Sequence, residues 1–273
     1  MTDRRPPRTI SVAEKYGCAA FLVALMLGFT ALPQLAAVPL SLFLLACLVA
    51  PFLPGCSFFL PVISRGPRGA NAIALTFDDG PSPASTPVLL ELLAKYELPA
   101  TFFVIGRHAA AHPELIAAIL ARGHAIGNHS YEHDNLLMLR SCEVLERDIQ
   151  AAQEVLNKAG IHPLVFRPPI GIVSPRLQPV IASLGLRTIT FSCRIFDRGN
   201  RDIHNLAARV LKKLLPGDIL LLHDTPPPDA EATAEWIDEL HRLFAQLHHA
   251  KRVVPLAVLI DQPVMMPMAR HAD

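Results

Sequence analysis

Two adjacent aspartates close an apolar run in Thr76-Phe77-Asp78-Asp79-Gly80-Pro81. A Gly-Pro turn follows, so both carboxylates cannot face a core. They are either a solvated turn pair or acids held for chemistry. A second group, Asn128-His129-Ser130-Tyr131-Glu132-His133, carries two histidines four apart. That spacing puts both rings on one face of a helical turn, although 12 histidines also produce such pairs by accident. One carboxylate of the first group with His129 and His133 would suit zinc or a similar divalent ion, with a position left open for water. The third group is Leu220-Leu221-Leu222-His223-Asp224, an imidazole at the end of a wholly apolar run. It is either a satisfied core histidine or a residue on a catalytic rim. Arg167-Pro168-Pro169-Ile170-Gly171 ends another run with a cation able to pair with a carboxylate from a neighbouring loop.

Such residues need a frame that brings several loops to one place. Short apolar runs at 72–77, 100–105, 124–128, 164–167, 187–192, 218–223 and 252–260 alternate with helix-like stretches at 84–96, 108–122, 141–159, 174–184, 202–214 and 230–249. Alternating strands and helices predict a parallel sheet. Seven strands in about 190 residues predict a closed or nearly closed barrel, an incomplete (β/α)7 TIM-like barrel over 70–262. In such a barrel, reactive residues gather at the C-terminal ends of the strands, where all four groups fall.

The same groups, in this order, resemble the motifs of the NodB-type polysaccharide deacetylases, carbohydrate esterase family 4. Ala100-Thr-Phe-Phe-Val-Ile-Gly106, Arg122-Gly123-His124 and Asn128 add to the likeness, which spans about residues 72–225. The resemblance implies roles. Asp79, His129 and His133 would hold one divalent metal, zinc first and cobalt as an alternative. Asp78 would be the general base held by Arg167, and His223 the general acid oriented by Asp197. A backbone N–H after Pro169, in the run Pro169, Ile170 and Gly171, would face the oxyanion. The implied reaction is hydrolysis of the N-acetyl group of an amino sugar in a polysaccharide, oligosaccharide or lipid-linked glycan. Two positions depart from the pattern: Ile170 stands where an aromatic is usual, and Arg198 where tryptophan is usual. Both would line the substrate groove, so the departures bear on substrate rather than reaction.

Composition sets further bounds. The hydrophobic fraction is 51 % and the mean hydropathy +0.34, and residues 16–64 contain no Asp, Glu, Lys, Arg or His. A bilayer span needs about 20 apolar residues. Pro33, Gln34 and Pro39 divide the stretch into two short spans, 16–32 and 36–53, without a polar face of helical period. Arg4, Arg5, Arg8 and Lys15 precede them, and Arg65 and Arg68 follow. These charges point to a transmembrane hairpin with the catalytic domain on the cytoplasmic side, whereas a single span or an uncleaved signal anchor would place that domain outside, so the side stays open. The domain plan is a basic tail at 1–15, a membrane region at 16–64, the deacetylase-like domain, and a tail at 263–273. Net charge is +1 and there is no basic stripe with interleaved aromatics, which excludes nucleic-acid capture. The five cysteines form no CxxC pair, arguing against a disulfide framework. Competing readings are a deformylase of a lipid-linked amino sugar and a non-catalytic sugar-binding membrane protein. A phosphohydrolase lacks its glycine-rich cradle.

Overall fold

A computed structural model describes residues 10–30, 33–250 and 252–268. Arg4, Arg5, Arg8 and the last residues of the expected C-terminal tail lie outside them. The chain order is α1 (Val12–Gly28), α2 (Ala37–Val49), β1 (Val62–Ile63), β2 (Ala74–Asp78), α3 (Thr86–Lys95), β3 (Ala100–Val104), α4 (Gly106–Ala111), α5 (Pro113–Ala121), β4 (Ala125–Asn128) and α6 (Cys142–Lys158). It continues with β5 (Ile161–Pro163), β6 (Val165–Phe166), α7 (Leu177–Ser183), β7 (Arg187–Ile189), β8 (Cys193–Arg194), α8 (Leu206–Lys213), β9 (Ile219–His223), α9 (Ala230–Ala250), α10 (Leu256–Leu259) and β10 (Met265–Pro267).

Eight strands form one parallel sheet in the order β1-β7-β6-β4-β3-β2-β9-β8. β7 and β8 are successive parts of one run, the first paired with β6 and the second with β9. The sheet therefore curls until its ends approach each other, giving the incomplete barrel. Both faces are covered, which is why the strands read as continuous apolar runs.

Within each strand, alternate residues divide between helices and barrel interior. Leu75, Phe77, Phe102, Val104, Leu220 and Leu222 pack outward with Trp236, Leu240 and Phe244 of α9. Ala74, Phe103, Val165, Ile189 and Ile219 form an inner apolar layer plugged by Leu256 and Leu259 of α10. The next inward positions toward the strand ends are Asp78 on β2, His129 after β4, Arg167 after β6 and His223 on β9.

Three sequence expectations change here. The run 252–260 is not a seventh strand: Val253 makes one bridge to Ile73, and Pro255 then leads into α10. Proline has no N–H for a ladder and presets the first turn of a helix. The helix expected at 108–122 breaks into α4 and α5 at His112–Pro113 for the same reason. Within 263–273, expected as a tail, Met265–Pro267 pair antiparallel with β5.

The N-terminal helices pack together, with Phe43 filling the space beside Gly17. α1 begins at Val12 behind a capping box of Ser11 and Glu14, earlier than expected. Among the described residues one helical run, Pro33–Phe52, is long and apolar enough to cross a membrane, with mean hydropathy 2.4. Phe21, Leu42, Leu44 and Leu48 on these helices are exposed. The base of the hairpin is anchored differently. Ala13, Ala50, Phe59 and Leu60 are buried with Leu137, Val173 and Leu177, and Ala13 N–H donates to the Phe58 carbonyl. β1 and the Arg65–Asp218 ion pair of 2.6 Å tie the connection to the barrel, ahead of residue 70.

Candidate active site

Asp78 is the last residue of β2 and stands in register with His223 on β9. Its side chain is 6 % exposed and receives a 2.6 Å hydrogen bond from Arg167 Nη1. The same guanidinium donates to Thr76 Oγ1 and the Thr190 carbonyl, both at 2.9 Å, and lies 3.9 Å over the Phe103 ring. Arg167 is fully buried. Burial pulls its pKa below the ordinary value, and the Asp78 carboxylate opposes that pull.

Asp79 turns away from the strand with a φ of 74°. Its Oδ1 lies 3.3 Å from His129 Nε2 and 3.1 Å from His133 Nε2, and the three ligand atoms lie within 4.8 Å of one another. That oxygen is buried and accepts no well-formed hydrogen bond. His129 Nδ1 is 2.7 Å from the Arg167 carbonyl, which requires a proton on Nδ1 and leaves the Nε2 lone pair free. Burial works against charge on Asp79, but the His129 and His133 imidazoles hold its carboxyl well below the usual range. Burial likewise opposes protonation of His129, yet Asp78, Asp79 and the Arg167 carbonyl lift it above its ordinary value. Three converging donors, an unsatisfied buried oxygen and a local demand for positive charge fit a divalent cation.

The histidines do not share a helical turn as their spacing predicts. Residues 129–133 are an irregular loop in which Ser130 and His133 have positive φ, at 67° and 56°. Asn128 Nδ2 donates to the Ile149 carbonyl on α6, and its Oδ1 accepts from Ser130 N–H. Asp148 of α6 accepts from the N–H groups of Tyr131 and Glu132, and Ser130 Oγ accepts from His133 N–H. α6 thus does the positioning expected of a local helix. Asp148 has no signal in the sequence that separates it from other helical acids.

His223 Nδ1 lies 2.8 Å from Asp197 Oδ2, and Asp197 is 1 % exposed. Burial lowers the His223 pKa, but Asp197, with the fields of Asp79 and Asp78, carries it above the ordinary value. Asp224, next in sequence, accepts hydrogen bonds from Ser85 and Thr86 hydroxyls at 2.7 and 2.6 Å. It packs so closely on Gly80 that a β-carbon there would lie 2.2 Å from its Oδ2. His108 Nδ1 sits 3.0 Å from the Asp79 carbonyl. Asp224 and His108 thereby brace the loop that carries both aspartates, a task sequence reasoning did not assign them.

Asp78, Asp79, His129, His133, Asp197 and His223 border one cavity of about 240 Å³, along with Ile170, Gly171 and Arg198. Gly171 and Ile172 N–H groups are tied to the Pro168 and Pro169 carbonyls. Ile170 has a φ of 53° and is 45 % exposed.

The polysaccharide deacetylase family model matches residues 65–189. A chitooligosaccharide deacetylase of Sinorhizobium fredii is 37 % identical over 198 residues, covering 70 % of this chain and 92 % of the relative. A peptidoglycan-N-acetylglucosamine deacetylase of Bacillus cereus is 38 % identical over 160 residues, covering 58 % and 75 %. Among solved structures, a peptidoglycan N-acetylglucosamine deacetylase bound to an N-hydroxybenzamide superposes with a TM-score of 0.67 at 29 % identity, over 74 % of this chain and 94 % of that one. The chain belongs to the polysaccharide deacetylase family. It is a hydrolase of carbon–nitrogen bonds other than peptide bonds, of the deacetylase type.

Proposed function

We propose that this protein removes the N-acetyl group from N-acetylglucosamine units, using one bound divalent metal, zinc first. The observation that carries this reading is the convergence of Asp79, His129 and His133 on the cavity that also holds the Asp78–Arg167 and His223–Asp197 pairs. The names of the relatives supply the substrate class. A divalent ion held by Asp79, His129 and His133 would polarise the scissile carbonyl and make water a nucleophile near neutral pH.

The chain's own groups do the proton work in this reading. Asp78, held in place by the hydrogen bond from Arg167, accepts the proton of the attacking water. His223, kept as imidazolium by Asp197, donates to the departing amine, a leaving group that is poor unless protonated. The Ile170 N–H is the donor that the Pro169–Gly171 turn can offer the developing oxyanion, a contribution of roughly 3–4 kcal/mol in related sites. Asp78 and Asp79 divide their duties because one faces a guanidinium and the other two imidazoles.

The apolar hairpin supports a membrane anchor, and the flanking basic residues support a cytoplasmic catalytic domain. The functional test is acetate release from a chitooligosaccharide by the full chain in detergent, loaded with zinc or cobalt. One acetate and one free amine per turnover are expected. No acetate from chitooligosaccharide or from peptidoglycan fragments at any metal loading would overturn the reading. A reporter fused after Arg68 tests the side of the membrane, and alkaline phosphatase activity there would reverse it.

A further inference from the structure

A second cavity of about 600 Å³ adjoins the candidate active site, within the size range of small-molecule pockets. The two share Ile170, Gly171, Phe191, Arg194 and Phe196, so they are continuous. The far wall comes from outside the barrel. Phe52, the last residue of the apolar Pro33–Phe52 run, lines it with Pro54 and Gly55. This wall is fixed in place: Thr190 Oγ1 donates to the Pro54 carbonyl at 2.5 Å, and Val173 N–H to the Pro51 carbonyl. The groove therefore runs from the reacting groups to the end of the hairpin.

Its chemistry changes along the way. The hairpin end is apolar, formed by Phe52, Pro54 and Ile172. At the junction stands Arg194, whose guanidinium lies 4.4 Å over the Phe196 ring and 5.3 Å over Phe191. Arg194 makes no ion pair or side-chain hydrogen bond with any described residue, unlike Arg65, Arg140, Arg167, Arg209 and Arg242. A cation held between two rings without a counter-charge is matched by an anionic group on the ligand.

We infer that the substrate is an amino sugar joined through a phosphate to an apolar chain. The acylated sugar lies in the first cavity, the phosphate on Arg194, and the start of the chain along Phe52 and Ile172 toward the bilayer. This inference rests on the deacetylase and anchor readings above and narrows their substrate class. A hairpin whose membrane end also forms a wall of the groove presents the site to a ligand already in the membrane, with no need to extract it.

The test compares three substrates on the full chain in detergent micelles, zinc-loaded: decyl N-acetylglucosaminyl phosphate, the neutral decyl N-acetylglucosaminide, and tetra-N-acetylchitotetraose. The expected result is a kcat/KM for the phosphate lipid about tenfold or more above the tetramer, with the neutral glycoside between. A charge-assisted hydrogen bond from Arg194 to the phosphate accounts for the step from neutral to phosphate. Arg194→Gln should collapse the phosphate-over-neutral ratio toward one, while Arg194→Lys restores part of it. Phe52→Ser, at a residue 67 % exposed, should shrink the advantage of both decyl substrates over the tetramer. Retained metal content shows that each variant is folded. A tetramer preferred over both lipids, or ratios insensitive to Arg194 and Phe52, would overturn this inference while leaving the deacetylase reading intact. Acetate released from none of the three would sink that reading and this one together.

Discussion

Replacing Asp197 by Asn isolates what holds His223 in its acid form. Asn keeps an oxygen for the Nδ1–H of His223, so ring orientation survives, and only the charge 2.8 Å away is lost. Two unit charges at that distance interact by about 6 kcal/mol at an effective dielectric near 20. Charge spread over the carboxylate and ring, and solvent reaching a side chain that is 17 % exposed, reduce this. Opposite charges at such range move a pKa by roughly 1–3 units, or about 1.4–4 kcal/mol. The sign follows from the direction of the native shift. His223 is raised by Asp197, and the protonated ring is the reactive form, so activity falls as pH rises through its pKa. In Asp197→Asn the alkaline limb of the kcat/KM profile on an N-acetyl amide should therefore move roughly 1–3 units lower, with metal content unchanged. Any bound cation acts equally on wild type and variant and cancels in the comparison. An aryl acetate ester, whose leaving group needs no proton, should show no such displacement. An amide profile that loses height at every pH without moving its limb would make Asp197 a purely orienting residue and refute the electrostatic argument.

Elemental analysis of the full chain should find about one divalent ion, retained in Asp78→Asn and lost in Asp79→Asn and in His129→Ala; loss in Asp78→Asn with retention in Asp79→Asn would exchange the duties of the two aspartates. Gly80→Ala should cost roughly 1–3 kcal/mol in thermal unfolding, and activity with it, because the new methyl group meets the Asp224 carboxylate. Burial pushes Asp224 up to about 6, above its unfolded value near 3.9, so the folded chain binds the extra proton between those values and loses stability as pH rises through that window. About 3 kcal/mol is the upper figure, and Asp224→Asn should flatten the slope of stability between pH 4 and 6 relative to wild type. A chain beginning at Ala70 should unfold at a lower temperature than one beginning at Ser57, because it lacks β1 and the Arg65–Asp218 pair and uncovers the cluster around Val173 and Leu177. Equal melting temperatures would mean that the connection contributes nothing to the barrel.

The main strands were legible because a parallel sheet covered on both faces writes itself as apolar runs, as at Ala74–Asp78 and Ile219–His223. β8 was hidden because two residues carry no period, and because Arg187–Arg194 divides its pairing between β6 and β9. β1 was hidden inside the apolar stretch read wholly as membrane region. At 252–260 the apolar run was real, but it belongs to a helix that plugs the barrel, and a short apolar segment does not distinguish the two. Proline was the usable sign, at Pro113 and Pro255 alike.

In the site, residue types were legible, and so, through the family resemblance, were the Arg167–Asp78 and Asp197–His223 pairings; the remaining supporting contacts were not. Asp78, Asp79, His129, Arg167 and His223 follow the ends of apolar runs, with His133 four residues further on, and strand alternation turns Asp78, His129, Arg167 and His223 into one interior. Asp148 and Asp224 act across loops and helices, on partners that no motif links to them. The Arg167–Asp78 and Asp197–His223 pairs are what separate base from acid in the proposed reaction. Asp78 and His223 are register partners on neighbouring strands, and either could in principle hold a proton. Arg167 donates to the one and fixes its position, and Asp197 beside the other favours the imidazolium. The division of proton work is thus set by two buried neighbours of opposite charge. Neutralising Asp197 should displace the alkaline limb of the pH profile, whereas Arg167→Met should lower activity at every pH by removing the group that holds the Asp78 side chain in place.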